Sequence, residues 1–163
     1  IAAVYSSPLR RALGTAHALG NSLGLKVQTL EGLIDIDYGQ WQGLSLSAAE
    51  AQDKDMYRQW LSHPELVHFP GGESLEQVQD RATAAVQEVS ASHPNQTLAL
   101  ISHKVVCKVL VCHALGLDNS HFWMIDQDLC AINVFELGDG LVRASLINDT
   151  CHLAGLASPD FKP

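Results

Sequence analysis

The feature that most constrains the fold is an apolar segment that leads directly into an apolar helix. Residues 97–102 form a continuous apolar run, typical of a strand that is buried on both faces of a sheet. From Lys104 to Leu115 the chain is apolar almost all round, which predicts a buried helix. A buried strand followed by a buried helix favours an α/β layered fold. His103 then lies at the carboxyl end of the strand, where open α/β sheets bind their ligands.

The amino-terminal part of the chain has the same strand-then-helix order. Residues 2–5 are apolar and predict a strand, and Ser7 with Pro8 is typical of an N-cap followed by the first helical residue. Leucines and alanines then recur at helical spacing up to Gly24, which suits a C-cap. We predict a further strand over 25–30.

Two capping-box patterns predict the helices that follow. Ser47 with Glu50 indicates a helix that runs to about Leu61, and Ser74 with Gln77 indicates another. The second of these helices carries one apolar stripe, formed by Leu75, Val78, Ala82, Val86 and Val89.

The carboxyl-terminal part predicts a hairpin. Strands over 131–137 and 141–146 flank the turn sequence Gly138, Asp139, Gly140. Strands that alternate with helices and end in a hairpin indicate a mostly parallel sheet. No repeat or linker interrupts the pattern, so we predict a single domain over 1–163.

Length and charge limit the classes of function. The 163 residues are 47% apolar, enough for one globular domain with a core. The net charge of −8 disfavours nucleic acids and anionic membranes as partners. No apolar run reaches the ~18 residues of a membrane helix, and the start at Ile1 lacks the pattern of a signal peptide. All four cysteines except Cys151 have apolar neighbours, so we expect buried, reduced thiols in a cytoplasmic protein.

Two positively charged residues follow the first predicted strand. Arg10 and Arg11 stand at the start of a helix, where backbone N–H groups and a guanidinium together suit a phosphate. Successive helical residues point about 100° apart, so at most one of the two can face a single pocket. The alternative is that both arginines are simply solvated.

A carboxylate-rich loop and one histidine complete the candidate chemistry. Asp35 and Asp37 lie among aromatic and glycine residues, where a carboxyl group pressed against a ring could serve as a general acid. Glu73 precedes a helix cap and stays ambiguous. His103 is the histidine best placed for a role, although a lone histidine is more often a packing residue. The other seven share no metal-binding spacing, and we predict no metal site.

Taken in order, these segments resemble the histidine phosphatase superfamily, the phosphoglycerate-mutase-like phosphatases. Residues 7–16 match the pattern S-P-L-x-R-A-x-x-T-A, and 33–43 resemble L-x-E-x-x-x-G-x-W-E-G. Residues 70–74 correspond to P-G-G-E-S, Ser102-His103 to the start of S-H-G, and 148–153 to the common carboxyl-terminal ending. The similarity covers nearly the whole chain.

The resemblance implies a fold and a set of roles. The fold would be a three-layer αβα sandwich with a mostly parallel sheet, and the family holds phosphate among two histidines and two arginines. Arg11 would be one of those arginines, and His103 the second histidine. Asp35 would stand where the acid protonates the leaving alcohol. The resemblance implies neither a metal nor another cofactor, and it is compatible with a homodimer.

Two further positive charges become candidates for substrate binding through this resemblance. Lys104 stands where glycine usually follows the Ser-His pair. Its charge could support a phosphate or simply lower the pKa of His103. Arg10, beside Arg11, is the second candidate.

The chain also departs from the family pattern. The family's first strand ends in R-H-G, with the nucleophilic histidine, and no R-H-G occurs in this sequence. Asp35 and Gln42 replace glutamates, and Asp is shorter by one methylene. Either a segment ahead of Ile1 supplies the nucleophile in the working protein, or the chain is a shortened, inactive relative. We favour the first explanation, because the other site residues stand together in order.

The sequence therefore predicts a phosphomonoester hydrolase that works through a phosphohistidine on a small phosphorylated metabolite. A phosphoglycerate mutase is one alternative, but the stretch 44–70 is compact where mutases carry a longer insertion. A phosphate-binding or assembly module without turnover is another. Sugar phosphates, α-ribazole phosphate and 3-phosphoglycerate stay open as substrates.

Overall fold

A parallel three-stranded sheet lies at the centre of the computed structural model, which describes residues 1–138 and 141–155. Its strands stand in the order β2-β1-β3, and both pairs are parallel. Their bounds are β1 Ala3–Ser6, β2 Val27–Thr29 and β3 Leu98–Ile101. The predicted strands are therefore present: β1 begins one residue later than predicted and keeps its length, whereas β2 and β3 are shorter than their sequence runs.

Five α-helices and a hairpin surround this sheet in the described part of the chain. The helices are α1 Arg10–Leu23, α2 Leu46–Gln52, α3 Lys54–Ser62, α4 Leu75–Ala91 and α5 Lys104–Ala114. The antiparallel hairpin, β4 Ile132–Gly138 and β5 Leu141–Asp149, forms a separate sheet. The hairpin strands are confirmed, whereas residues 139 and 140 of the predicted turn lie outside the described residues. None of the helices in the described ranges is long and apolar enough to span a membrane.

The start of α1 differs from the prediction. Leu9 has an extended backbone (φ −69°, ψ 135°), so the helix begins at Arg10 and not at Pro8. The Ser7 hydroxyl accepts a hydrogen bond from the Leu9 N–H at 3.3 Å, which makes a local turn ahead of the helix. Gly24 ends α1 in the left-handed conformation (φ 68°), as predicted.

The helix predicted over 47–61 is two helices. Ser45, and not Ser47, caps α2 through a hydrogen bond from the Ala48 N–H. Asp53 then adopts an extended backbone and caps α3, because its carboxylate accepts from the Met56 N–H at 2.9 Å. The second predicted capping box, at Ser74 and Gln77, is confirmed with both of its hydrogen bonds.

The prediction that β3 is buried on both faces was wrong. Every residue from Leu98 to Ile101 is half-buried, because β3 pairs with β1 on one side and with no strand of the described residues on the other. The parallel sheet therefore has an open edge at β3 among the described residues. The hairpin also exposes apolar side chains, among them Ile132, Val134 and Leu146.

The cysteine prediction holds only in part. All four thiols are free, with Cys112 buried and Cys107 half-buried. Cys130 and Cys151 are exposed, so burial was the wrong expectation for Cys130. Cys130 has a positive φ of 58° ahead of β4, which indicates a surface turn where the apolar neighbours do not enclose it.

An unexpected positive charge lies inside the buried face of α5. Lys108 is 3% exposed, and its Nζ stands 4.1 Å above the Phe122 ring centroid and 4.5 Å from that of Trp123. Burial and, to a smaller extent, the charge of Lys104 together lower the pKa of Lys108 to about 8. The ordinary pKa of a lysine, which the unfolded chain retains, is higher, so the folded state resists protonation.

We expect Lys108→Met to raise the free energy of unfolding by about 1–2 kcal/mol at pH 7, because it removes a desolvated ammonium and keeps the aromatic contact. The Lys108 charge begins to lower the free energy of unfolding as the pH falls through about 10, because the unfolded chain then takes up the proton first. The loss is complete below about 8, where the folded state is protonated as well. Urea unfolding at pH 7 and pH 10 measures it, with Lys54→Met, at an exposed position at the start of α3, as the matched control. A variant no more stable than the wild type at pH 7 would contradict the expectation.

Candidate active site

The candidate site lies where β1 and β3 end side by side. Ser7 follows β1 and His103 follows β3, and the parallel pairing brings the two together. The Ser7 N–H donates to the Ile101 carbonyl at 2.9 Å, and the His103 Nε2 stands 2.7 Å from the Ser7 Oγ. His103 is buried, and its ring points across the strand ends toward the first turn of α1.

Arg11 joins the histidine to the acidic loop. Its Nε donates to the His103 Nδ1 at 3.1 Å, and its Nη2 donates to the Asp35 Oδ2 at 2.7 Å. Because Nδ1 accepts, the ring proton is on Nε2, which then donates to the Ser7 Oγ. The 3.6 Å approach of Asp35 to Nδ1 is therefore a secondary contact and not the main partner of the ring.

The protonation of His103 follows from its surroundings. Burial lowers the pKa of His103, the Asp35 carboxylate opposes that shift, and the Arg11 and Arg81 guanidiniums add to it. The net direction is downward, which favours a neutral ring at neutral pH. A neutral ring with its proton on Nε2 can donate one hydrogen bond to an incoming anion.

Asp35 lies in the loop between β2 and α2 and is half-buried, with 26% of its side chain exposed. Its Oδ1 accepts from the Ile36 N–H at 3.0 Å. We expected an aromatic ring against a carboxylate of this loop, but the contact of Asp35 is the Arg11 guanidinium. Tyr38 packs against Phe69 instead, and burial raises the pKa of Tyr38 to about 12, with the Asp35 charge adding to the rise.

An arginine that the sequence analysis did not single out supports this loop. Arg81 on α4 forms a two-point pair with Glu73, at 2.7 and 2.9 Å. Its remaining N–H groups donate to three backbone carbonyls, those of Gly32, Ile34 and Asp35. Burial alone would raise the pKa of Glu73, but the hydrogen bonds from Arg81 and the Asp37 N–H outweigh it and lower the pKa. Arg81 and Glu73 therefore fix the backbone that carries the acid.

We expect Arg81→Met to lower the free energy of unfolding by about 2–4 kcal/mol, since it leaves Glu73 and three carbonyls without their donor. Arg81→Lys should show most of the same decrease in the free energy of unfolding, because an ammonium group cannot form the planar, two-point pair of a guanidinium. The exposed Arg58→Met, which removes only a surface ion pair, is the control and should change stability by less than about 1 kcal/mol. Equal urea midpoints for the Arg81 and Arg58 variants would contradict this role.

Two glycines let the acidic loop lie against the turn that precedes α4. A Cβ on Gly39 or on Gly72 would stand within 3 Å of the backbone of the other segment, and Gly39 also has a positive φ of 52°. The close approach brings the Asp37 carbonyl to the Glu73 N–H at 2.8 Å. The glycines of these two motifs thus couple the acid segment to the Arg81–Glu73 pair.

The structure separates the remaining candidates from this group. The side chains of Arg10 and Lys104 are exposed and form no hydrogen bond or ion pair among the described residues. Lys104 is the first residue of α5, directly after His103, so its charge stands beside the site. Within the described ranges no three His, Cys, Asp or Glu side chains are grouped as metal ligands. Arg11, Asp35 and His103 are therefore the predicted residues that the fold brings into contact.

Comparison with known proteins identifies the family. Residues 1–150 match the model of the histidine phosphatase superfamily (branch 1). Phosphoserine phosphatase 1 of Hydrogenobacter thermophilus is 34% identical over 150 residues, covering 92% of this chain and 71% of that protein. A bifunctional protein of Mycobacterium tuberculosis is 32% identical over 154 residues, but the chain spans only 42% of its length.

A solved structure supports the same assignment. YhfR of Bacillus stearothermophilus superimposes with a TM-score of 0.90 at 26% identity, over 94% of this chain and 76% of that one. This similarity confirms the predicted α/β fold with a mostly parallel sheet. With the family match and the phosphatases among its relatives, the chain belongs to branch 1 of the histidine phosphatase superfamily, as its motifs predict, and it is a phosphatase of that family.

Proposed function

We propose that the protein hydrolyses a small phosphomonoester that carries a carboxylate, such as phosphoserine, through a phosphohistidine. The observation that carries the proposal is the contact of Arg11, Asp35 and His103 at the ends of β1 and β3. Arg11 and His103 would bind the phosphoryl oxygens, and Asp35 would serve as the acid. No metal or other cofactor takes part, so EDTA should leave the rate unchanged.

The phosphate enters by competition with Asp35. Arg11 is 63% exposed in its side chain, so an anion can reach the guanidinium from solvent. The phosphate group of the substrate, bound as its monoanion, and the Asp35 carboxylate both accept from the same Nη2. When the phosphate displaces Asp35 it passes its proton to that carboxylate, which makes Asp35 the acid of the first step. Once Arg11 turns to the phosphate, the Nε2–H of His103 can exchange its Ser7 partner for a phosphoryl oxygen.

The nucleophile is a second histidine, which we place on a strand added to the open edge of β3. No other histidine of the described residues hydrogen-bonds to Arg11, Asp35 or His103. The unpaired edge and half-buried side chains of β3 suit an additional parallel strand. Such a strand would end beside His103, at the same edge of the sheet as the site.

The reaction has two balanced steps. The nucleophilic nitrogen attacks phosphorus, the P–O ester bond breaks, and the leaving alkoxide takes a proton from Asp35. Water then attacks the phosphohistidine, the P–N bond breaks, and Asp35 takes a proton from the water. Arg11 and His103 stabilise the charge on the equatorial oxygens in both steps.

Lys104 supports the choice of a carboxylated substrate. It is exposed, it follows His103 directly, and it stands at the start of α5, where an anion also meets the helix N-terminus. The sequence relatives include a phosphoserine phosphatase, whose name gives such a substrate. Arg10, the first residue of α1, is exposed and is the second candidate for binding the carboxylate group.

Asp35→Asn should slow hydrolysis of alkyl phosphates by about 10²–10³-fold and p-nitrophenyl phosphate by less than about tenfold, since a good leaving group needs little proton assistance. Comparison of kcat for the two substrates measures the difference. Asp37→Asn, a neighbouring exposed carboxylate, is the control and should affect both substrates equally. Equal losses for both substrates in Asp35→Asn would remove Asp35 from the acid role.

The test of the mechanism is trapping of the phosphoenzyme with ³²P-phosphoserine and a quench in alkaline SDS, which preserves a phosphohistidine. We expect an acid-labile, base-stable phosphoramidate on a histidine outside residues 1–163 when the product of the complete coding sequence is used. Full turnover by the 163-residue chain alone, or an intermediate on a different residue type, would overturn the proposal. Transfer of the phosphoryl group to a second hydroxyl in place of water would indicate the mutase alternative, and phosphate binding without turnover the inactive module.

The cytoplasmic location, the homodimer and the absence of a nucleic-acid partner stay predictions. The net charge of −8 supports the exclusion of nucleic acids. Size-exclusion chromatography with light scattering measures the oligomeric state.

A further inference from the structure

Ser7 is a fully buried serine that directly follows β1, and the backbone holds it there on both sides. Its N–H donates to the Ile101 carbonyl at 2.9 Å, at the end of β3. Its carbonyl accepts from the Ser6 hydroxyl, also at 2.9 Å. The position of the Ser7 hydroxyl is therefore set by the pairing of β1 with β3.

The hydroxyl of Ser7 has two acceptor positions, and both are filled. It accepts from the Leu9 N–H at 3.3 Å and from the Nε2–H of His103 at 2.7 Å. The His103 side chain is only 5% exposed, so its Nε2–H depends on this oxygen for a partner. Ser7 thus supplies the acceptor that a buried imidazole needs.

Ser7 is one end of a chain of three hydrogen bonds that crosses the site. His103 donates to Ser7, Arg11 Nε donates to the His103 Nδ1 at 3.1 Å, and Arg11 Nη2 donates to Asp35 at 2.7 Å. The side chains of Arg11 and Asp35 are 63% and 26% exposed, whereas Ser7 has no exposed surface. Ser7 is therefore the member that fixes the chain to the sheet.

The direction of these hydrogen bonds excludes a nucleophilic serine. A histidine that activates a serine must accept the hydroxyl proton. The Nε2 of His103 already carries a proton, because its Nδ1 accepts from Arg11. The contact of Ser7 with His103 therefore acts on the ring and not on the hydroxyl.

We propose that Ser7 is a positioning residue, which holds the His103 ring with its Nε2–H in place until a phosphoryl oxygen takes over that hydrogen bond. Without the Ser7 oxygen the buried N–H would be unsatisfied, so the ring would turn toward another acceptor. Such a turn would also withdraw Nδ1 from Arg11, whose exposed side chain holds the ring only weakly. The kinetic consequence rests on the proposed function, whereas the orientation and protonation of the ring do not.

The first test is ¹H–¹⁵N NMR of the His103 ring in the substrate-free protein at neutral pH, which reports the protonated nitrogen without any turnover. We expect the proton on Nε2 in the wild type and a mixture of both tautomers in Ser7→Ala, which removes a single oxygen atom. Ser6→Ala removes the same atom from the preceding buried serine, whose hydroxyl donates to the Ser7 carbonyl, and should leave the signal unchanged. A wild-type ring protonated on Nδ1, or an unchanged signal in Ser7→Ala, would overturn the proposal.

The second test is a double-mutant cycle measured as kcat for phosphoserine. Ser7→Ala should lower kcat about tenfold, less than His103→Ala does, because the imidazole is still present. Added to His103→Ala, the same change should lower kcat by less than about twofold, since Ser7 acts through the ring. An equal loss in both backgrounds would make Ser7 an independent contributor and overturn the proposal, as would full activity of Ser7→Ala. Absence of hydrolysis by the wild type would instead refute the proposed function, and the NMR signal would still decide the role of Ser7.

Discussion

Replacing His103 by alanine should reduce kcat for phosphomonoester hydrolysis by about 10²–10³-fold in the active protein. The variant removes the Nε2–H donor, which in the structure contacts only the Ser7 hydroxyl and is free to turn to a phosphoryl oxygen. It also removes the acceptor that fixes Arg11, at 3.1 Å from Nε. Steady-state kinetics on phosphoserine measure the loss.

Two controls separate this effect from misfolding. His17→Ala changes an exposed histidine of α1 and should leave kcat within twofold of wild type. His103→Gln keeps a donor near the same place and should recover part of the rate. A His103→Ala variant that is folded and fully active would contradict the role of His103.

Replacing Arg11 by methionine should lower kcat/KM for phosphoserine by about 10²–10³-fold, through both KM and kcat. The Arg11 guanidinium contacts the side chains of His103 and Asp35 at once, so its positive charge is fixed within the site. Methionine keeps most of the aliphatic contact and helix propensity, so α1 should remain intact.

The neighbouring arginine provides a matched control for this variant. Arg10→Met removes the same charge one residue earlier, about 100° around the helix, from a side chain with no partner in the described ranges. We expect its kcat/KM to stay within about threefold of wild type, a loss that reflects only long-range attraction. Equal losses in the Arg10 and Arg11 variants would mean that net charge, and not position, accounts for the effect.

The sequence was sufficient for the parts of the site that local patterns encode. The contact of Arg11 with His103 could be predicted because each residue stands near the start of a helix that comes shortly after a strand, so the order of elements places both at one sheet edge. The helix geometry also predicted that only one of Arg10 and Arg11 would face the site. The capping box at Ser74 is a purely local signal, and it is confirmed.

The parts that could not be predicted depend on contacts between distant segments. Arg81 reaches the carbonyl of Gly32, 49 residues away, and nothing in the helical pattern of α4 marks it as different from a solvated arginine. α2 and α3 are separate helices because the Asp53 side chain caps the start of α3, whereas a continuous helix would have placed Asp53 in its interior. The half-buried state of β3 follows from which strands pair with it, which an apolar run does not report.

The central claim is that Arg11 and His103 together bind a phosphate at the ends of β1 and β3. A crystal structure of the protein soaked with inorganic phosphate tests it most directly. We predict an anion with oxygens at hydrogen-bond distance from both the Arg11 guanidinium and the His103 Nε2, with the Arg11–Asp35 pair lengthened or broken. A phosphate bound elsewhere, with Arg11 still on Asp35 and His103 still on Ser7 at saturating concentration, would contradict the account.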